Sequence, residues 1–358
     1  MRGARLMGAL LALAGLLQGA LALRMAAFNI RTFGETKMSN ATLSKYIVQI
    51  LSRYDVAVVQ EVRDSHLTAV GKLLDTLNQD DPNAYHYVVS EPLGRSSYKE
   101  RYLFLFRPDR VSVLDSYQYD DGCEPCGNDT FSREPAIVRF HSPLTGAQPF
   151  PGPLESPGPP DPPPPPVLWS PTEVTQENAP RDCLMSPILG LSSTVSTEVK
   201  EFAVVPLHAA PLDAVAEIDA LYDVYLDVQH KWDLEDIVLM GDFNAGCSYV
   251  AASQWSSIRL RTNPAFQWLI PDTADTTSTS THCAYDRIVV AGSQLQHAVV
   301  PESAAPFNFQ VAYGLSSQLV GVPPSRGTGG GQSASTVWVC PCPPSHRPRP
   351  SVTTTPWR

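Results

Sequence analysis

The chain has 358 residues, of which 36 are acidic and 26 basic, and its formal net charge is −10 at pH 7. This charge argues against a protein that binds nucleic acid through a broad basic surface. Local arginines and bound cations would have to make any contact with nucleic acid. After the first 22 residues no stretch of about 20 apolar residues occurs, which argues against an integral membrane protein.

Residues 1–22 have the pattern of a secretory signal peptide. Two arginines precede an apolar run over residues 6–17, and Ala20-Leu-Ala22 fits the small-x-small cleavage rule. The sequence therefore predicts a secreted protein whose mature chain begins at Leu23.

Apolar periodicity predicts a mixture of strands and helices. In the first half it predicts helices over residues 43–51 and 66–78, and strands over 23–30, 55–62, 85–89, 101–106, 111–119 and 136–140. In the second half it predicts helices over 213–230 and 253–260, and strands over 201–207, 237–243 and 286–291. Two packed sheets with helices on the outside would bury such a set, which makes the fold class α/β.

The composition changes abruptly over residues 143–198, where Pro162 to Pro166 form an unbroken run. We expect this insertion to be extended or disordered, either as a passive loop or as a proline-rich ligand for a partner. Because loop closure costs only about 0.6 kcal/mol per doubling of length, the insertion can interrupt a single domain made of residues 23–142 and 199–319. A Gly- and Pro-rich tail follows over residues 320–358.

Polar side chains end four of the predicted strands. Asn29, Glu61 and His208 each end one strand, and the run Val238-Leu-Met-Gly-Asp-Phe-Asn-Ala245 ends another with Asp242 and Asn244. Ligands of α/β proteins gather at the carboxyl ends of strands, and hard oxygen ligands beside an imidazole suit a divalent metal and phosphoryl chemistry. Such residues also cap turns or satisfy core hydrogen bonds, but four of these strand ends in one chain favour a site.

Seven cysteines fit an oxidising compartment and leave at least one unpaired. Cys123-Glu-Pro-Cys126 is a CxxC motif that could serve zinc or redox chemistry, but no second cysteine pair or nearby histidine completes a metal site, which favours a small loop disulfide. Asn40 and Asn128 lie in glycosylation acceptor motifs.

Residues 23–142 and 199–319 closely resemble the secreted deoxyribonuclease I family, with its like-2 branch as the expected subgroup. The strand ends and the Cys123 loop carry this resemblance. It implies a four-layer sandwich of the endonuclease/exonuclease/phosphatase type, in which two packed mixed β-sheets are flanked by helices. It also implies a secreted monomer, free of stable membrane association, that uses Ca²⁺ and Mg²⁺ to cut double-stranded DNA into 5′-phosphorylated fragments with little base specificity.

The resemblance also implies roles for individual side chains. The catalytic residues would be Glu100, His208, Asp242, Asn244 and Asp286, with Mg²⁺ bound at Glu61 and Asn29. The DNA contacts would be Arg31, Arg63, Tyr98 and Arg133. One structural Ca²⁺ site would use Asp275, Thr277, Thr279 and Thr281, and a second would use Asp121, Asp129, Phe131 and Glu134. The disulfides would be Cys123–Cys126 and Cys247–Cys283, and the residues matching a patch for monomeric actin are Tyr87, Val89 and Ala136.

Simpler interpretations of these residues exist. A single arginine is more often a solvated surface charge, and the threonine run, taken without the resemblance, is more typical of an ordinary polar turn. Grouping with the metal-site strands favours the arginines as phosphate ligands.

The tail departs from the family pattern. After Leu319, family members continue into a Ser-Asp-His-Tyr-Pro segment and a last core strand, whereas this chain runs into Gly329-Gly-Gly331 and contains no Asp-His dipeptide. In the family pattern Asp286 orients that second histidine. Because one positioned acid/base group contributes about 10²- to 10⁴-fold, the alternative is a catalytically impaired or misfolded variant of the nuclease.

A further alternative changes the substrate. Related folds hydrolyse sphingomyelin, phosphoinositides or abasic DNA with the same Asn, Glu and Asp-x-Asn set. The DNA-contact residues and the Cys123 loop favour the deoxyribonuclease.

Overall fold

A computed structural model describes residues 22–82, 84–122, 129–142, 199–278 and 281–316. Outside these ranges lie the proline-rich insertion, the tail, Cys123, Cys126, Asn128 and Thr279, and also the proposed signal peptide except for its last residue. The strands of the described part are β1 Met25–Phe33, β2 Val56–Val62, β3 His86–Val89, β4 Arg101–Phe106, β5 Ser112–Gln118, β6 Ala136–His141, β7 Glu201–Pro206, β8 Ile237–Asp242, β9 Gln267–Trp268 and β10 Asp286–Ala291. Its α-helices are α1 Glu35–Met38, α2 Ala41–Leu51, α3 Thr68–Leu77, α4 Ala214–Trp232, α5 Arg259–Thr262, α6 Ser293–Ala298 and α7 Phe309–Tyr313.

The strands form two mixed sheets, with orders β1-β2-β4-β3 and β5-β6-β7-β8-β10-β9. Strands β1 and β2 are parallel in the first sheet, and β7 and β8 are parallel in the second. Their other neighbours in the two sheets run antiparallel. Each sheet therefore brings the carboxyl ends of two adjacent strands together. Glu61 and Asp242 lie at such ends. The prediction that Asn29 ends its strand is wrong, because β1 continues to Phe33, but the regular pairing of β1 with β2 shifts after Asn29.

Three apolar clusters build a four-layer sandwich. Between the sheets, Val58 and Phe104 of the first sheet pack with Phe140 and Met240 of the second. The outer face of the first sheet packs against α2 and α3, and that of the second packs against α4. The predicted arrangement of two sheets with helices outside is confirmed.

The predicted helix over residues 253–260 is wrong in part. The chain instead forms a short 3₁₀ turn, Trp255–Ser257, and then α5. Ile258 between them has extended dihedral angles. The backbone N–H of Arg259 donates to Asp219 Oδ1 on α4 at 2.7 Å, so a contact with another helix replaces the continuous helical hydrogen bonding. Among the residues that the structure describes, none of the helices has both the length and the apolar character needed to cross a bilayer.

Candidate active site

The polar residues predicted to end four strands meet in one buried cluster between the sheets. Asn29 Nδ2 donates to Asp242 Oδ2 at 3.1 Å and lies 3.5 Å from His208 Nε2. Glu61 Oε1 lies 4.0 Å from the same ring nitrogen. His208 is only 7% exposed, and its three neighbours are also buried. Residues that are as much as 213 positions apart in sequence therefore form one site.

His208 pairs with the carboxylate of Glu100, the residue that precedes β4. Its Nδ1 lies 2.5 Å from Glu100 Oε1, which leaves Nε2 facing the cluster. Arg133 Nε lies 2.6 Å from Glu100 Oε1, and Arg63 Nη2 lies 3.6 Å from Oε2. The carboxylate thus has close partners at Oε1 and a more distant cation at Oε2, and it fixes the orientation of the imidazole.

Electrostatics favour the charged form of both partners. Burial alone raises the pKa of Glu100, but His208 and the two arginines outweigh it and the net pKa is lowered. For His208, burial lowers the pKa, but the charge and hydrogen bond of Glu100 outweigh it and the net pKa is raised. An imidazolium with a proton on Nε2 is therefore stabilised at the cluster.

Two polar residues of the cluster have left-handed backbones. Glu61 has a φ of 57° and Asn244 a φ of 50°, conformations that are uncommon outside glycine. Glu61 Oε2 accepts the N–H of Thr32 at 3.0 Å. Asn244 donates its N–H to Asp242 Oδ1 at 3.1 Å and its amide Nδ2 to the Ala209 carbonyl at 2.8 Å. Such strain persists only where surrounding contacts fix it, and it is concentrated at functional sites.

Sequence reasoning missed two buried residues that support the site. Gln60 joins the sheets, because its Nε2 donates to the Leu207 carbonyl at 2.7 Å and its Oε1 accepts the Asp242 N–H at 2.9 Å. The Tyr102 hydroxyl accepts the His208 N–H at 3.0 Å and donates to the Arg133 carbonyl at 3.4 Å. A glutamine inside an otherwise apolar strand is a signal that could have identified the first. Nothing in the sequence pattern marks the second.

Asp286 lies in the same layer as Asp242. It begins β10 and is paired in register with Asp242 across the antiparallel β8–β10 ladder. It is buried, and its backbone N–H donates to Thr276 Oγ1 at 3.1 Å. The structure thus brings this predicted residue to the edge of the cluster.

Basic and aromatic side chains lie beside the residues of the cluster. The Arg63 guanidinium stacks 3.0 Å from the centroid of Tyr98, which is 62% exposed. Arg133 Nη1 donates to the His208 carbonyl at 3.0 Å. Arg31 is exposed and lines a cavity together with Asn29 and Lys37. Lys37 was not among the predicted DNA contacts. The four predicted DNA contacts therefore lie beside the candidate site.

The donor set fits a hard divalent cation. The cluster brings the carboxylates of Glu61 and Asp242 together with the amides of Asn29 and Asn244. Oxygen donors of this kind suit Mg²⁺, which is bound through one or two carboxylates and keeps several waters.

A separate acidic group matches one predicted calcium site. Ligand oxygens of Asp121, Asp129 and Glu134 lie within 4.8 Å of one another. Asp121 Oδ2 also accepts the N–H groups of Thr130 at 2.6 Å and Phe131 at 2.8 Å, which holds the loop in place. The set fits Ca²⁺, which takes carboxylate and carbonyl oxygens. Arg95 Nη2 lies 3.2 Å from Asp129 Oδ1 and partly offsets this negative charge.

The second predicted calcium site is described only in part, because Thr279 lies outside the described residues. Asp275 Oδ1 accepts the N–H of Thr277 at 3.0 Å and its hydroxyl at 2.9 Å. The Thr281 carbonyl is a second acceptor within reach of the single Thr277 hydroxyl proton, and His282 Nδ1 lies 2.6 Å from Asp275 Oδ2. The structure brings these three predicted residues into one turn, whose ion binding stays a prediction.

The remaining predicted residues lie away from the cluster. Cys247 and Cys283 form a disulfide with a Cα–Cα distance of 5.8 Å. Asn40 is exposed and caps α2 through its side-chain oxygen, which accepts the N–H of Thr42 at 3.0 Å. In the patch predicted to bind actin, Tyr87 is half-buried while Val89 and Ala136 are buried. Glycosylation and actin binding stay predictions.

Comparison with known proteins agrees with this geometry. Residues 26–308 match the model of the Endonuclease/Exonuclease/phosphatase family. Deoxyribonuclease-1 of Canis lupus familiaris is 84% identical over 319 residues, which cover 89% of this chain and 94% of the relative. The chain belongs to the deoxyribonuclease I family. Deoxyribonuclease-1 of Homo sapiens is 68% identical over 319 residues, with 89% of this chain and 95% of the relative covered. These relatives give no support to the like-2 branch.

Solved structures give a weaker likeness. A humanized D. rerio TDP2 is 12% identical and has a TM-score of 0.46, with 80% of this chain and 90% of that chain covered. The fold assignment rests on the family match and on the observed layers.

Proposed function

We propose that this protein is a secreted endodeoxyribonuclease that hydrolyses double-stranded DNA with Mg²⁺ and Ca²⁺. The observation that carries the proposal is the buried Glu100–His208 pair, in which the imidazole Nε2 faces a cluster of carboxylates and amides. Membership of the deoxyribonuclease I family supports DNA as the substrate. Residues 1–22 support secretion, since they have the pattern of a signal peptide.

His208 supplies one proton transfer of the reaction. Its raised pKa favours the protonated ring, and Glu100 holds that ring with Nε2 towards the cluster. As water attacks phosphorus and the bond to the 3′ oxygen breaks, His208 donates its Nε2 proton to the departing oxygen. The products are a 5′-phosphate and a 3′-hydroxyl.

Asp242 is the carboxylate placed to take the proton of the attacking water. Asn29 donates to one of its oxygens and the Asn244 backbone to the other, so both oxygens are oriented. Glu61 and Asn29 would hold Mg²⁺, which when bound neutralises charge on the phosphoryl oxygens. The left-handed backbone conformations of Glu61 and Asn244 help to hold the side chains of these two residues in place before substrate binds.

The substrate contacts proposed are those of a protein that reads DNA shape. Arg31, Arg63 and Arg133 reach phosphates, and the exposed ring of Tyr98 packs on a sugar. None of these contacts distinguishes one base from another, so cleavage should depend on groove width and deformability. Structural Ca²⁺ at Asp121, with Asp129 and Glu134, would stabilise the loop that leads to Arg133.

The alternative proposal is an impaired enzyme. The family's Asp-His pair is missing from this sequence, and Asp286, which would orient that second histidine, is nevertheless buried beside Asp242. If the second histidine is indispensable, the chain would bind metal and DNA but cut slowly or not at all.

The products provide a direct test. We would treat supercoiled plasmid with the purified secreted chain after chelation, with Mg²⁺ and Ca²⁺ restored separately and together, and then add DNA ligase. The proposed reaction leaves nicks that ligase seals without prior phosphorylation, because they carry a 5′-phosphate and a 3′-hydroxyl. Nicks that ligase seals only after end repair would contradict the proposed bond cleavage, and unchanged plasmid would favour the impaired enzyme.

A further inference from the structure

Helix α4 carries a buried carboxyl group that the proposed reaction does not use. Glu217, in the first turn of the helix, is 0% exposed. Its Oε1 accepts two backbone N–H groups, that of Ala210 at 3.0 Å and that of Ser132 at 3.3 Å. The two donors come from different loops, because Ala210 is 7 residues from Glu217 in sequence and Ser132 is 85 residues from it.

Both loops carry residues of the candidate active site. Ser132 directly precedes Arg133, and Ala210 follows His208 by two residues. The two site residues also contact each other, since Arg133 Nη1 donates to the His208 carbonyl at 3.0 Å. One oxygen of Glu217 therefore binds the backbone beside Arg133 and the backbone beside His208 at the same time.

We propose that Glu217 is a positioning residue, which fixes the Arg133 and His208 loops relative to each other so that His208 Nε2 faces the scissile phosphate. This inference rests on the proposed function. Glu217 does not touch the reacting atoms. It acts through two backbone N–H groups, and its effect should therefore appear in the rate of the chemical step rather than in the binding of DNA.

The acceptor oxygen of the Glu217 side chain, and not its negative charge, should be what positions the two loops. Burial raises the pKa of Glu217 to about 7, so the acid form is populated near neutral pH and a permanent charge is not required. Glutamine keeps an acceptor oxygen of the same reach and should preserve both hydrogen bonds. Alanine removes the acceptor and leaves two backbone N–H groups to find other partners, which moves the loops.

The experiment compares four variants with the native chain. Glu217→Ala should lower kcat about 100-fold, the size expected for a misplacement of about 1 Å, with KM for plasmid DNA changed by less than about threefold. Glu217→Gln should stay within about threefold of the native kcat. Glu217→Asp, whose carboxylate is one bond shorter, should fall between them and serves if the alanine variant does not fold.

Val228→Ala controls for stability. Val228 is fully buried in the same helix, and 11 residues along an α-helix correspond to about 16 Å from Glu217. This variant should melt at a lower temperature but keep the native kcat when assayed below that temperature. An equal loss of kcat in Val228→Ala, or a loss in Glu217→Gln as large as in Glu217→Ala, would overturn the positioning role.

A second readout separates this inference from the proposed function. If the native chain cuts no DNA, the nuclease proposal fails, and the NMR chemical shifts of the His208 ring at one fixed pH still test Glu217. Glu217→Ala should move the His208 resonances, because the imidazole loses its fixed contact with Glu100, whereas Glu217→Gln should leave them in place. Unchanged His208 resonances in Glu217→Ala would contradict the inference whether or not the chain is active.

Discussion

Gly241 directly precedes Asp242, and a methyl group added there should disturb both stability and the site. Its φ is 141°, a conformation that side chains of L-residues rarely adopt. A Cβ atom at this position would meet the Leu207 carbonyl oxygen and the Gln60 amide nitrogen at less than contact distance. Gln60 cannot move freely, because it joins the two sheets through Leu207 and Asp242.

The loss of unfolding free energy in Gly241→Ala can be worked out from these contacts. Backbone strain at such a φ costs about 1–3 kcal/mol. Displacing Gln60 breaks two buried hydrogen bonds, each contributing about 1 kcal/mol. We therefore expect Gly241→Ala to lower the free energy of unfolding by about 3–5 kcal/mol, a large share of the 5–15 kcal/mol typical of a domain. Because Gln60 also positions the Asp242 backbone, the rate of DNA cleavage should fall as well.

The same substitution at Gly71 is the matched control. Gly71 lies within α3, and an added Cβ meets no atom within 4 Å. Gly71→Ala should raise the free energy of unfolding by about 0.5–1 kcal/mol, since alanine has the higher helix propensity. Urea unfolding of both variants at one pH measures the two signs together. A Gly241→Ala variant within about 1 kcal/mol of the native chain would refute the steric argument.

Three more predictions follow from the site and its supports. Glu100→Gln should lower the pKa of His208 and reduce kcat about 10²- to 10⁴-fold, measured by NMR titration and plasmid nicking; an unchanged His208 pKa would contradict the pair. Replacing Cys247 and Cys283 by alanine should lower the free energy of unfolding by about 4 kcal/mol from loop entropy over their separation of 36 residues, measured in urea, and a loss below about 1 kcal/mol would contradict it. Folded Glu217 retains a proton that the unfolded chain releases between pH 4.5 and about 7, so native stability should fall by about 3 kcal/mol across that window, whereas Glu217→Gln should lack this fall; parallel pH profiles of the two chains would refute the buried acid.

Sequence patterns predicted most strands and the polar residues of the candidate site because both show in the order of apolar and polar residues along a short segment. The strand period located most strands within a few residues of their observed ends, as in Ile237–Asp242 for the predicted 237–243. Asn29, Glu61 and Asp242 were recognisable because they interrupt apolar runs where strands were predicted to end. The parallel pairs β1–β2 and β7–β8 bring the strand ends together within each sheet, and the packing of the two sheets then brings Asn29 to Asp242.

Gln60 stands out as a polar residue in an apolar strand, but the partners of the supporting residues were not predictable because they are distant in sequence. Gln60 bonds to a carbonyl 147 positions away, and Glu217 to an N–H 85 positions away. Neither contact leaves a local pattern. The interruption of the predicted helix at Ile258 has the same origin, since Asp219 on α4 captures the N–H of Arg259.

The Glu100–His208 site is tested most directly by the rate at which the purified secreted chain nicks supercoiled plasmid in Mg²⁺ and Ca²⁺, beside His208→Ala and a version whose tail is restored to the family pattern. We expect the native chain to nick DNA and the rate of His208→Ala to be about 10²- to 10⁴-fold lower. Equal rates in the native chain and His208→Ala, or activity that only the restored version shows, would contradict the claim that the Glu100–His208 site of this chain cuts DNA.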